Sequence, residues 1–170
     1  DYLLPALSLT WNFRDNMQLR AAASRTIARP QFRELSPLQY LDLELDRLTI
    51  GNQHLVDTEM TNLDVRWEWY FDDGEYLNAG LFHKQMDNPI EAVVSDDVSF
   101  LRQSFVNAPE ASLYGLELDF RKYFDHGLAW LGGNRIFATA NYTWSDSEVD
   151  SGDGTVVLYN GLALPAGQVV

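Results

Sequence analysis

The stretch TNLDVRWEWYF, residues 61–71, sets Leu63, Val65, Trp67, Trp69 and Phe71 on one side of an extended chain and Asn62, Asp64, Arg66 and Glu68 on the other. Alternation with period two is the signature of a β-strand, whose successive side chains point to opposite faces. A helix with about 3.6 residues per turn would mix these aromatics and charges on every face. The pattern recurs along the chain. Residues 2–13 place Leu7, Leu9, Trp11 and Phe13 against Ser8, Thr10 and Asn12, and residues 17–27 place Leu19, Ala21 and Ala23 against Arg20, Ala22 and Ser24. Residues 112–124 oppose Tyr114, Leu116, Leu118 and Phe120 to Gly115, Glu117, Asp119 and Arg121. Residues 135–145 oppose Ile136, Ala138, Ala140, Tyr142 and Trp144 to Thr139, Asn141, Thr143 and Ser145. The segment 76–86 also reads as a strand, but its facing is open: Leu77, Ala79 and Leu81 lie on one side, Tyr76, Phe82 and Met86 on the other.

These six strands run about 10 to 12 residues each, against a mode near 5 to 6 in soluble proteins and roughly 9 to 11 for a strand that crosses a bilayer. Their connections alternate in length. RDN at 14–16 and DDGE at 72–75 are tight joints and DHGLAWLGGN at 125–134 is a longer, glycine-rich one, while long polar segments fill 28–60, 87–111 and 146–168. In an antiparallel meander every second connection emerges at the same end, so short turns gather at one end and long loops at the other, as in outer-membrane barrels. Aromatic residues fall into two belts: Trp11, Phe13, Trp69, Phe71, Tyr76, Phe120 and Phe124 flank the short joints, and Tyr2, Tyr114, Tyr142 and Trp144 lie toward the loops. Such rings collect at both membrane interfaces.

The expected fold is therefore all-β: a segment of an antiparallel, up-and-down transmembrane β-barrel with about six long strands. Lipid covers the side of Trp67 and Trp69, and Asp64, Arg66, Glu68, Glu117, Asp119 and Arg121 face the lumen. A closed sheet is the β arrangement that satisfies every backbone polar group in hydrocarbon. The rival reading is a soluble all-β binding module whose aromatic faces form a core between two sheets.

Composition narrows the functional classes. A formal charge of −13 with only 12 Lys and Arg argues against binding phosphate backbones. Cysteine is absent, which removes disulfides, thiolate metal sites and cysteine nucleophiles. His54, His83 and His126 fall in a loop, on a strand and beside a joint, and none stands near both a Ser and an acid in a way that proposes a triad. No catalytic residue, cofactor or metal is expected, and a barrel-embedded hydrolase built on His83 is a third, weaker reading. DSEVDSGDG at 146–154 begins like a calcium loop at Asp146, Glu148 and Asp150, but Ser151 stands where glycine is needed and Val157 where the closing acid belongs. NYT at 141 has the form of a glycosylation acceptor and carries no consequence inside a membrane strand.

Five stretches taken in order carry a family resemblance: LRAAASRTIARPQFREL at 19–35, GN at 51 followed by TNLDVRWEWYF at 61, GLFHKQMDNPI at 80–90, YGLELDFRKYF at 114–124 and ANYTWSDSEV at 140–149. Together they resemble TonB-dependent outer-membrane receptors, particularly those of alphaproteobacteria and xanthomonads. The sequence departs from that pattern after GN, where Gln53, Asp57 and Thr58 replace two prolines and a glutamate. The resemblance implies a barrel of about 22 strands around a plug, with residues 1–170 forming part of the barrel and the plug and terminal strands lying outside it. It also implies import of a scarce ligand, energised by a TonB-type complex acting through regions N-terminal to this chain. Expected partners are outer-membrane lipid and a small-molecule ligand, an oligosaccharide first and a ferric siderophore or similar chelate next. Long loops would be extracellular and short turns periplasmic. Candidate ligand contacts are Arg29, Gln31, Arg33, Tyr40 and Asn52 in the first long loop, and Phe100, Arg102 and Gln103 in the second.

Overall fold

The computed structural model describes residues 2–42, 47–96, 101–124, 136–150, 152, 156–157 and 163–164. All six predicted strands are present: β1 (Ala6–Arg14), β2 (Met17–Ala28), β5 (Thr58–Asp72), β6 (Glu75–Asp87), β9 (Glu110–Phe124) and β10 (Ile136–Asp150). They form one sheet in the order β1-β2-β5-β6-β9-β10. The first strand begins at Ala6 rather than at residue 2, directly after Pro5, which has no N–H to give to a ladder. By contact density the chain divides into two units, one of Asp1–Ser24, Asn62–Lys84 and Leu113–Ser147, the other of Arg25–Thr61, Gln85–Ser112 and Glu148–Val170.

The first unit holds most of the long sheet, and its burial is inverted relative to a water-soluble protein. Among its described residues Glu68, Glu75 and Asn78 are buried, while Leu7, Leu9, Trp11 and Leu81 are each at least 60% exposed. Val65 and Leu118 are also exposed. The enclosed core of the rival reading is therefore not formed by these residues. Register explains why β2 carries small side chains, since Leu7 pairs with Ala23, Leu9 with Ala21 and Trp11 with Leu19. Large residues of β1 lie beside small ones of β2, and the apolar face stays level. That face is laced with ring contacts, Trp69 to Phe71 at 5.1 Å, Phe71 to Phe120 at 6.4 Å and Tyr114 to Trp144 at 5.9 Å.

The same face changes chemistry at both ends. Beside the short turn at Asp73 and Gly74, Lys122 Nζ reaches Glu75 at 3.1 Å and lies 5.0 Å from the centre of the Phe71 ring. Gly74 adopts φ +76°, which glycine reaches without steric cost. Toward the long connections the apolar side of β2, β5, β6, β9 and β10 turns polar: Arg25 pairs with Glu59 at 3.3 Å, Gln85 donates to Glu110, and the Tyr114 hydroxyl bonds Asp146 at 3.1 Å. In β5 the apolar run spans residues 63–71, close to the length that crosses hydrocarbon.

The second unit contains what the sequence reading left as loops. Residues 28–60 and 87–111 fold into a short helix, α1 (Phe32–Leu35), and the strands β3 (Gln39–Asp42), β4 (Arg47–Ile50), β7 (Ile90–Asp96) and β8 (Leu101–Asn107). These form a four-stranded sheet ordered β3-β4-β8-β7, in which β4 and β8 run parallel. Two short strands, β11 (Val156–Val157) and β12 (Ala163–Leu164), pair with each other. The buried apolar residues Leu55, Val93, Phe105, Val106, Ala108 and Ala111 all belong to this unit. Here the hydrophobic effect builds an ordinary core.

Burial raises the Glu91 carboxyl above the ordinary carboxylate range. The folded sheet therefore holds this proton more tightly than the unfolded chain, and the associated stability is complete below the unfolded value and lost as pH rises through the raised one. Glu91→Gln is expected to slow hydrogen exchange in β7 and β8 near neutral pH and to change it little in acid.

Candidate functional site

Side-chain amides join the two long connections. Asn52, 5% exposed, donates from Nδ2 to the Phe105 carbonyl at 3.0 Å and accepts from the His54 N–H at 2.9 Å. Asn107 donates to the carbonyls of Val56 at 3.1 Å and Asn88 at 2.7 Å, and accepts from the Val56 N–H at 2.9 Å. Gly51 runs so close to residues 34–36 that an added Cβ would lie 2.7 Å from the Glu34 carbonyl oxygen. The GN pair thus has a physical meaning: glycine permits the close pass, and asparagine fastens it to the neighbouring segment. Two of the residues that depart from the family pattern are also used, since Asp57 pairs with Arg29 at 3.8 Å and the Thr58 hydroxyl donates to the Asn88 carbonyl at 2.9 Å.

The candidate ligand contacts are distributed accordingly. Arg29 and Arg33 are exposed, Arg33 in α1. Gln31 caps α1, and its main-chain N–H donates to Glu34 Oε2 at 2.7 Å. Asn52 is consumed inside the loop, because both ends of its amide already have partners. Tyr40 pairs with Thr49, and Thr49 with Gln103, so these three share one face of the small sheet. Arg102 pairs with Leu48 and stands on the opposite face. Tyr40 and Arg102 are therefore not brought together. Phe100 lies outside the described residues. Sequence reasoning missed Arg47, which donates to Gln103 at 3.5 Å on the Tyr40 face; the signal was the short apolar run of Leu48 and Ile50 beside it.

The six polar strand positions share the other face of the long sheet. Asp64, Arg66 and Glu117 line a groove of about 300 Å³ together with Gly80, Phe82 and Lys84. Gly80 forms part of its floor, with Arg66 Cγ and Glu117 Cβ about 4 Å from where a Cβ would stand. This settles the facing of β6. Phe82 turns to the polar side, where its ring fills the space above Gly115, while Leu81 and, by alternation, His83 point to the apolar side. The His83 hydrolase reading thus places its histidine away from the groove. Arg121 donates to the Tyr123 hydroxyl and lies over the rings of Tyr123 and Phe137 at 5.0 and 5.4 Å. Alternation puts Asp119 between Glu117 and Arg121 on that face. The acidic run 146–150 is strand rather than a chelating loop.

A long antiparallel sheet with oily residues on one face and charges on the other has the pattern of a segment of transmembrane barrel wall. The sequence matches the family described as TonB dependent receptor-like, beta-barrel over residues 1–166, and the chain belongs to that family of outer-membrane barrels. Among solved structures it is similar to the siderophore receptor PirA from Pseudomonas aeruginosa, with 19% identity and a TM-score of 0.64 over 85% of this chain and 25% of that one. It is also similar to the ferric enterobactin receptor PfeA in complex with BCV-L6, at 19% identity and a TM-score of 0.59, covering 83% of this chain and 22% of that one. A mutant of PfeA from Pseudomonas aeruginosa in complex with enterobactin gives 19% identity and a TM-score of 0.53 over 70% and 20% of the two chains. The chain thus spans at most a quarter of the length of these solved relatives. No curated protein sequence matches it.

Proposed function

We propose that this chain forms part of the wall and mouth of an outer-membrane active transporter that captures a ferric siderophore-type chelate and imports it with energy from a TonB-type complex. The observation that carries this reading is the inverted sheet, with exposed Leu7, Leu9, Trp11 and Val65 on one face and buried Glu68 and Asn78 on the other. Arg29 and Arg33, exposed in the first long connection, offer guanidinium forks suited to the anionic oxygens of a metal chelate. The solved relatives named as siderophore or enterobactin receptors favour the same ligand class. Oligosaccharide, placed first on sequence, has no comparable support.

The long connections face the outside of the cell and the short turns the periplasm. Single cysteines introduced into this cysteine-free stretch, with any elsewhere in the receptor replaced, test the orientation. With Val56→Cys, in an exposed part of the first long connection, a membrane-impermeant maleimide should label intact cells, whereas Asp73→Cys should react only after lysis. The reverse pattern refutes the orientation. Uptake assays decide the ligand class: radioiron-labelled siderophore should accumulate in a TonB-dependent manner, and accumulation of labelled maltodextrin instead would overturn the chelate reading.

A further inference from the structure

At the short-turn end, the apolar face of the long sheet carries a charged pair that the loop site does not use. Glu75 follows the turn at Asp73 and Gly74, and its side chain is only 10% exposed. Its Oε1 accepts from the Tyr123 N–H at 2.9 Å, and its Oε2 from Lys122 Nζ at 3.1 Å. Lys122 itself stays 42% exposed, with Nζ 5.0 Å from the centre of the Phe71 ring. The turn packs on the same strand, since a Cβ at Gly74 would lie 3.3 Å from the Tyr123 ring.

The pair sits on β5, β6 and β9, which are flanked by β2 and β10, so its lateral neighbours in the sheet are in place. Trp69, Phe71 and Phe120 continue its face, opposite the groove of Arg66 and Glu117. In a transmembrane barrel this is the face that meets lipid, and no domain inside the barrel reaches it. An ammonium can donate more than one hydrogen bond. Among the described residues Glu75 is the acceptor that Lys122 meets, so further donors remain. Asp73 is exposed in the turn, and among the described residues its carboxylate has no partner, while Asp72 accepts from the Asp73 N–H at 2.8 Å. Asp72, Asp73 and Glu75 together outweigh Lys122, and Arg121 lies on the other face over Tyr123 and Phe137. A ligand of net negative charge is therefore disfavoured. A zwitterion is not.

We infer that Lys122 and Asp73 form a headgroup site for a phospholipid that carries both a phosphate and a primary ammonium, as phosphatidylethanolamine does. The phosphate accepts from Lys122 Nζ, the ammonium donates to the Asp73 carboxylate, and the acyl chains run along the rings of Phe71 and Phe120. Both charged parts of the headgroup are matched, and the apolar part follows the apolar face. The site rests on the membrane fold and not on the ligand that is transported.

Native mass spectrometry of the full-length receptor, released from detergent with phosphatidylethanolamine, phosphatidylcholine or phosphatidylglycerol added, tests the site. Phosphatidylethanolamine should bind most tightly, because phosphatidylcholine has no ammonium hydrogen for Asp73 and phosphatidylglycerol has no cation to offset the acidic turn. Lys122→Gln should weaken phosphatidylethanolamine binding about tenfold, the effect of one charge-assisted hydrogen bond. Asp73→Asn, in an exposed turn that asparagine suits, should leave the fold intact and remove the preference over phosphatidylcholine. Equal affinity for the three lipids in the native receptor overturns the site. So does tighter binding of phosphatidylglycerol or of lipopolysaccharide, or a preference that survives Asp73→Asn. Heat-modifiable gel mobility confirms that each variant is folded, and if Lys122→Gln is not, Asp73→Asn alone decides.

Discussion

Val65→Arg or Leu118→Arg in the assembled receptor is expected to lower the folded fraction recovered from membranes, whereas Glu117→Arg leaves it unchanged. Both apolar residues are exposed on the outward face of strands whose polar residues line the groove. In hydrocarbon an arginine near the midplane costs about 2 to 4 kcal/mol, falling toward the interfaces. Glu117 stands on the opposite, polar face, where a change of charge alters the groove. Heat-modifiable gel mobility reads the folded fraction, and equal tolerance at all three positions would contradict the facing of the sheet.

Gly115→Ala should be nearly as damaging, although it adds a single carbon. The new Cβ would fall against the Trp144 carbonyl oxygen and the Phe82 ring. Overpacking of this kind typically costs about 1 to 3 kcal/mol. Gly115→Ala combined with Phe82→Ala should recover only part of the loss, because the backbone of β10 cannot retreat as a side chain can. Unfolding of the receptor in urea measures both variants. Full recovery in the double variant would mean that the ring alone sets the limit.

These two predictions also mark what the sequence made legible. The two faces of β5 and β9 were readable because alternation separates apolar from polar positions, and Val65 and Glu117 stand on the opposite faces where alternation puts them. The facing of β6 was not readable. Phe82 breaks the pattern by lying on the polar side, for a reason that resides in Gly115 on another strand. Weak alternation in β2 has the same kind of cause, since its alanines answer the large residues of β1.

The long connections were legible in length but not in structure. Pairing of β4 with β8 joins residues more than fifty positions apart, and nothing local announces it. The GN pair was visible as a motif, yet the partners of Asn52 depend on where Phe105 and His54 come to lie. Asn52 was therefore assigned to ligand contact, while the structure uses its amide to fasten the loop. In the barrel wall, Glu68 combines a face that alternation predicts with a burial that only its partners Gln18 and Arg20 on the neighbouring strand explain.

Asn52 and Asn107 stitch the two long connections into one piece through bonds to Phe105, Val56 and Asn88. Their evolution is correspondingly bound together. A relative that exchanged one of these segments alone would leave the buried Asn52 amide and the Asn107 amide without these partners, so new ligand preferences should arise by replacing both as a block, or by changing the exposed arginines that the stitching leaves untouched.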